Sequence, residues 1–559
     1  MRQLFRNGVI YSMDELNACH NAMLIENGRI AAIGEYEDVR RQAESGGEKA
    51  SEVDLNGRTV LPGFIDSHMH LLEYGLTKGK VYLGGARSKE EMLALLKDAL
   101  LERDLARTGE ASGETEERWL IGYGFNQDYF RTETGEPGQI PTREDLDQVS
   151  RDVPILILRA CIHIAVANTR ALERNGLMKK GLVAEGGSFD SGEDGYPNGI
   201  VRENAIERLY DAIPECGADE IKEALRRAMK ELAVYGIIAV HSDDFTEAGS
   251  WKEVVRAYRE MEEAGEMTVR VFEQCQFFRA GEFEEFLGAG MWKEDRRNPE
   301  AFFLPVSVKI IEDGSLGART AYMRRDYADD PGNRGMLLIP EEKLYQYMRS
   351  VHHAGIPMAV HAIGDGTIEL ILNLYRRLEE EEPKGLRHGI VHCQITDEEL
   401  LRRFAKQKVS AYIQPIFLHY DLHIAESRVG RELASTSYAW RTLVEEGVPV
   451  SGGSDCPVEF FNVMEGIYCA VTRKDLNQVP KEGFHPEQRL TVQQAVRIFT
   501  NGGAYAANAE EYLGSLEPGK LADFVVLSEN IFECEADRIK EIKVLETYIG
   551  GKPLLSGKA

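Results

Sequence analysis

Residues 63–72 read GFIDSHMHLL, an apolar run that ends in two histidines one residue apart. In an extended strand alternate side chains share a face, so His68 and His70 project together while Ser67 and Met69 face the other way. Two imidazoles delivered from one rigid strand suit a metal ion, because neutral imidazole is a common ligand. The pair also fits a core histidine beside a loop histidine, since H-x-H is a short pattern. The sequence around the stretch separates the two readings.

Downstream, apolar strands alternate with amphipathic helices, the pattern of an α/β architecture with a parallel sheet. Helical periodicity runs through DEIKEALRRAMKELAVYG (219–236), WKEVVRAYREMEEAG (251–265), EEKLYQYMRSVHHAG (341–355) and DEELLRRFAKQK (397–408). Several of these end in glycine, as helix C-termini do. Strand candidates lie at 64–70, 236–242, 268–275, 306–311, 357–361, 389–393, 408–413 and 448–454. Eight strands with intervening helices predict a (β/α)8 TIM barrel over residues 61–504. The count requires residues about 75–205 to be a large insertion after strand one. That segment has strand-like pieces of its own, RWLIGYGFN and VPILILRACIHIAV, and is expected to cover the active site at the barrel mouth.

Both termini differ in texture. LFRNGVIYSM, AMLIENGRIAAIGE and VDLNGRTVLPG each place Asn-Gly between apolar residues, a strong hairpin signal. GSLEPGKLADFVVLSEN and KVLETYIGGKPLL continue the texture at the C-terminus. Residues 1–60 and 505–559 are therefore expected to form one small β-sandwich domain together.

The chain has 559 residues, 43% hydrophobic and 28% charged, which describes a globular protein with ample core material. Its formal charge of −27 opposes nucleic acid or an anionic membrane surface as a partner and leaves a small-molecule substrate. The eight cysteines contain no C-x-x-C pair, which implies a reducing compartment. No signal-peptide h-region and no stretch of about 18 uncharged apolar residues is present, so a cytoplasmic location is expected. A homodimer is the expected assembly only in that it is the commonest one.

Active sites of such barrels lie at the C-terminal ends of the strands. Strand one ends in His68 and His70, strand four carries Lys309, strand five ends in His361, strand six carries His392 and strand eight ends in Asp455. Each has a structural reading when taken singly: a satisfied core histidine, a helix-capping aspartate, or a lysine paired within the apolar run FFLPVSVKII. Together on one rim they point to one site.

These residues sit in LPGFIDSHMHL, VKIIEDGSLGARTA, VHAIGDG, VHCQ, GGSDCPVE and LEPGKLADFVVL, motifs that resemble the amidohydrolase superfamily of metal-dependent hydrolases. Within it the set is similar to the branch that includes N-substituted formamide deformylases. The resemblance covers nearly the whole chain. It implies that His68 and His70 bind one divalent metal and His361 and His392 a second. It further implies that Lys309, carboxylated by CO2, bridges them, and that Asp455 ligates the first metal and handles the proton of the nucleophilic water. Zinc suits this nitrogen and oxygen donor set, and Fe, Mn or Co fit it too. The implied reaction is hydrolysis of a non-peptide C–N bond, amide or formamide-like, by a metal-bound hydroxide. A deaminase or cyclic amide hydrolase on the same scaffold is the alternative. Mononuclear deaminases carry a glutamate three residues beyond a metal-binding histidine, whereas His361 is followed by Ala362, Ile363 and Gly364. A metal-free binding module would be expected to lack ligands, and none is missing here.

Position within the motifs makes Asn126 of GFNQDYF, His163 of CIHIAVANTRAL and Arg319 of SLGARTA the substrate-contact candidates. Hydrogen bonding within the insertion and barrel rim is their alternative role. In QPIFLHYDLH the sequence departs from some relatives, which have a histidine near Phe417, so the family's pocket role is not carried to that position. His352 and His353, in the last turn of a helix, favour its negative end over metal binding.

Overall fold

The computed structural model describes residues 2–45, 49–107, 119–130, 138–159, 164–184, 187–210, 212–213, 216–277, 279, 281–294 and 301–555. The chain divides into two compact units, residues 1–75 with 217–559 and residues 76–216.

The larger unit is built on an eight-stranded parallel sheet whose spatial order follows the sequence. Its strands are Phe64–Met69, Ile237–Ser242, Arg270–Cys275, Phe303–Ile311, Met358–Ala362, Gly389–His392, Ser410–Ile413 and Val450–Gly452. All eight predicted strands are present, with small shifts at their ends. The eighth and first strands meet through their exits: Asp455 N–H donates to His68 O at 2.8 Å and His70 N–H to Cys456 O at 2.7 Å. The result is a nearly closed barrel.

Six of these strands are buried along their whole length, because a parallel sheet covered on both faces has no wet side for polar residues to occupy. The helices between them are one-sided. Ala218–Val234 buries Ile221, Ala224, Leu225, Ala228, Met229 and Leu232 on one stripe, and Gly236 beyond it takes φ +77°, which lets the chain turn into the second strand. Ile65, Ile238, Ala239, Phe272, Leu304 and Val306 pack into one continuous cluster around the first four strands.

The terminal segments contribute one eight-stranded mixed sheet. Arg2–Tyr11 pairs antiparallel with Cys19–Glu26, and Phe524–Leu527 pairs antiparallel with Thr59–Pro62, so the two ends of the chain share a sheet. Phe524 and Tyr548 stack at 4.4 Å with Phe5 edge-on at 5.2 Å from Phe524. Of the three Asn-Gly pairs only Asn27-Gly28 turns a hairpin, between Cys19–Glu26 and Arg29–Gly34. Asn7-Gly8 falls at a register shift inside the strand Arg2–Tyr11. Asn56-Gly57 links Ser51–Asp54 to Thr59–Pro62, which both run parallel to Arg2–Tyr11. Asn7, Asn27 and Asn56 all take positive φ, and that backbone state serves a bulge or a plain turn as readily as a hairpin.

The unit of residues 76–216 carries a six-stranded sheet of its own. Phe125, Ile155, Ile157 and Val166 from it pack with Met92 and Leu96 of the helix Lys89–Arg107. Among the described residues no helix is long and apolar enough to cross a membrane.

Candidate metal centre

The exits of the barrel strands fix the backbone of the site first. His68 ends up fully buried, and the chain after strand eight is held against it by the Asp455 N–H to His68 O bond. Gly453 makes this approach: a Cβ there would lie 2.7 Å from His68 N and 2.8 Å from Asp66 Oδ1. His392 and Asp455 take φ of +78° and +61°. Left-handed conformations of this kind cost about 1–3 kcal/mol each in non-glycine residues, and they cluster where a side chain must be aimed.

The side chains converge. His68 Nε2 is 3.2 Å and His70 Nε2 3.3 Å from the same oxygen, Asp455 Oδ1. Lys309 Nζ lies 3.2 Å from His68 Nε2. The His392 ring is 5.9 Å from that of His68 and 4.4 Å from that of His361. All six residues predicted for the metal site thus stand in one constellation. Donor atoms of His68, His392 and Asp455, all buried, lie within 4.8 Å of one another. A second set, from His70, Glu73 and Glu247, meets the same limit beside it.

Each histidine uses its other nitrogen elsewhere. His68 Nδ1 faces Gln274 Oε1 at 2.7 Å, His392 Nδ1 faces Gln414 Oε1 at 2.8 Å, His361 Nδ1 faces Asp313 Oδ1 at 3.0 Å and His70 Nδ1 faces Asp243 O at 3.4 Å. All four partners can accept from Nδ1–H, the tautomer that would leave Nε2 for a cation. Asp313 is itself held by the Ile363 and Gly364 amides and the Thr367 hydroxyl.

Burial governs the charges. It pushes His68 down to about 3, with the Lys309 charge acting in the same direction, and it takes His392 well below the usual range. Both rings are therefore neutral, the state in which imidazole binds metal. Burial also lowers Lys309, against the pull of Asp243 and Asp455. For His70 burial is outweighed by the Asp455 hydrogen bond and charge, helped by Asp243, and it rises to about 9. Asp455 stays ionised because bonds from His68 and His70 overcome the burial that would raise it. With Asp455 ionised and the His68 and His392 rings neutral, the donors of the site fit a divalent metal.

Asn126 belongs to the unit of residues 76–216, where its Oδ1 accepts from Arg159 Nη2 at 3.0 Å. His163 lies outside the described residues. Arg319 makes a two-pronged ion pair with Asp329, at 3.1 and 2.8 Å, on the partly exposed loop after strand four. Phe417 stacks on His392, with centroids 5.8 Å apart and planes at 20°. His352 is buried between His388 Nε2, at 3.0 Å, and Glu382 O, at 2.7 Å, away from the constellation.

Gln274, Asp313 and Gln414 were not among the sequence candidates, nor was Asp243. Their signal was available: each stands at or just beyond the C-terminal end of a barrel strand, the rim position that singled out the others. Polar residues with no metal-ligand spacing of their own do not stand out without that frame.

Comparison with known proteins agrees with this picture. The sequence profile of the amidohydrolase family matches residues 51–555. The putative amidohydrolase YtcJ of Bacillus subtilis (strain 168) is 30% identical over 99% of both chains. The N-substituted formamide deformylase of Arthrobacter pascens is 25% identical over 98% of this chain and 96% of its own. A crystal structure of an uncharacterized metal-dependent hydrolase from Pyrococcus horikoshii OT3 superposes with a TM-score of 0.78 at 27% identity, covering 96% of this chain and 99% of that one. With a barrel whose strand exits gather histidines, a lysine and an aspartate, and a profile match across nearly all of its length, the chain belongs to the amidohydrolase family.

Proposed function

We propose that this protein hydrolyses a non-peptide C–N bond, of the amide or formamide type, in a small molecule, using two divalent cations. His68, His70 and Asp455 would hold one, His361 and His392 the other, with Lys309 bridging as its carbamate. The observation that carries the reading is the orientation of the four imidazoles, each with an acceptor at Nδ1, with Nε2 of His68 and of His70 turned to the same Asp455 oxygen. When bound, the cations supply Lewis-acid activation of water and of the scissile carbonyl.

The chain's own residues do the rest. Asp455, ionised and aimed by two histidines, accepts the proton of the attacking water at a carboxylate oxygen and returns it to the leaving nitrogen. Lys309 is buried, and burial favours the uncharged amine that reacts with CO2. Zinc is the preferred cation for these donors.

The test is elemental analysis of protein purified without chelator, followed by a panel of N-substituted formamides, N-acyl amines and cyclic amides. About two metals per chain and turnover lost in Asp455→Asn are expected. Turnover that is undiminished in His68→Ala with His70→Ala would end the assignment.

A further inference from the structure

The scheme above leaves one buried charge at the rim without a task. Asp243 follows the second barrel strand, is 1% exposed, and has a hydrogen-bond partner on neither carboxylate oxygen. Burying an unpaired carboxylate is strongly unfavourable, so such a group needs a cation or a proton. Lys309 Nζ stands 3.8 Å from its Oδ2, beyond hydrogen-bond length, and its backbone carbonyl faces His70 Nδ1. The side chain is therefore placed against Lys309 and the backbone against His70, whose ring also feels the Asp243 charge.

Neighbouring carboxylates are already committed. Asp244 accepts from Leu72 N–H, the Ser242 hydroxyl and the Tyr258 hydroxyl. Asp66 accepts from the amides of Ser454 and His68 at 3.1 and 3.2 Å. Glu312, also buried, likewise has a partner on neither carboxylate oxygen, but its electrical neighbours are the Ile339 amide and Asp313, not Lys309 or His70.

Carboxylation of Lys309 sharpens the requirement. The amine nitrogen bonds to the carbon of CO2 and releases a proton, so the group beside Asp243 changes from an amine to an anion. Two anions close together in a buried site repel strongly unless a cation lies between them. Two divalent cations supply that charge, and the carbamate and Asp455 neutralise only half of it.

Resting on the metal-centre reading above, we propose that the Asp243 carboxylate is a further ligand of the metal pair, contributed by strand two between His70 and Lys309. It would make the centre less positive and raise its hold on the metal.

Zinc alone is the probe. Full-length protein, wild type and Asp243→Asn, is loaded with zinc, dialysed against graded chelator and analysed for zinc per chain, with circular dichroism as the check on folding. Asparagine keeps the shape and removes the charge, so retention of one of the two ions is expected to weaken tenfold or more in a folded variant. Retention equal to wild type overturns the proposal. Should the variant not fold, an anomalous-scattering map of zinc-loaded wild type decides. Zinc at roughly 2.0–2.2 Å from an Asp243 oxygen supports the assignment, and zinc beside His68 and Asp455 but out of contact with Asp243 overturns it. Wild type that binds no zinc defeats the metal-centre reading and this inference with it, whereas zinc indifferent to Asp243 defeats this inference alone.

Discussion

Lys309 Nζ lies 3.2 Å from His68 Nε2, and both side chains are 1% exposed. The closeness allows a hydrogen bond between the two, and it also lets both serve one partner. On the proposed reading, Lys309 is the residue on which a pair of metals, as opposed to one, depends.

Replacing Lys309 by Ala should lower zinc per chain from about two toward one. Catalytic efficiency should fall by more than the roughly 10–100-fold that loss of an outer-shell partner costs. Elemental analysis and steady-state kinetics on the same preparation check this. Full zinc content in the variant would show that the lysine bridges nothing.

Gln274 Oε1 and Gln414 Oε1 face Nδ1 of His68 and His392 and, on the proposed reading, hold the ring proton there. With leucine at either position the ring proton is free to move to Nε2, the nitrogen that faces the cation. Gln274→Leu and Gln414→Leu are each expected to lose about 10–100-fold in zinc affinity, measured by chelator competition, while the protein stays folded. Unchanged affinity in both would mean that the glutamines do not set the proton.

Glu312 provides a pH-dependent test of the fold. Burial raises its carboxyl from the ordinary 4.5 to about 8, opposed by the Ile339 amide. A raised pKa means the folded state holds the proton more tightly than the unfolded chain. The stability it contributes is therefore complete below about pH 4.5 and lost as pH rises through about 8. Glu312→Gln is neutral at every pH, so its stability relative to wild type should climb between pH 5 and pH 9 by on the order of 1–3 kcal/mol. Urea unfolding at several pH values, in one metal state, reads the difference. A difference that stays flat would show the carboxyl is not held protonated.

What the sequence revealed and what it concealed have distinct causes. The barrel was legible because buried parallel strands read as apolar runs and their helices carry a one-sided stripe, both local patterns. His68, His70, Lys309, His361, His392 and Asp455 were legible because the strand count turns positions 241 residues apart, such as His68 and Lys309, into neighbours on one rim. The Asn-Gly pairs misled at two of three places because positive φ is a property of a residue and a hairpin is a property of two strands. Gln274, Gln414 and Asp313 each face the Nδ1 of a rim histidine, and nothing in their own spacing announces that contact. Arg319 illustrates the remaining difficulty: its motif position suggested a substrate contact, while its guanidinium is paired with Asp329, which Arg428 also contacts.

Gly453 offers a test of how the site is assembled. Its N–H donates to Ile413 O at 2.9 Å, and a Cβ would press on His68 N, Asp66 Oδ1 and His68 O at 2.7, 2.8 and 3.0 Å. Two of those atoms belong to the backbone of strand one, which cannot rotate away. An alanine must therefore push the exit of strand eight outward, stretching the Asp455 N–H to His68 O bond and withdrawing the Asp455 carboxylate from His68 and His70. Gly453→Ala should destabilise the protein by about 1–3 kcal/mol, the usual result of overpacking, and should weaken zinc retention. Gly288→Ala, at the end of the helix Glu282–Gly288 with open space around the new methyl group, should do neither. Melting temperature and zinc per chain in both variants separate a local steric effect from a general sensitivity to glycine replacement. A Gly453→Ala protein that holds zinc as wild type does would show that the contact between strands eight and one does not position Asp455.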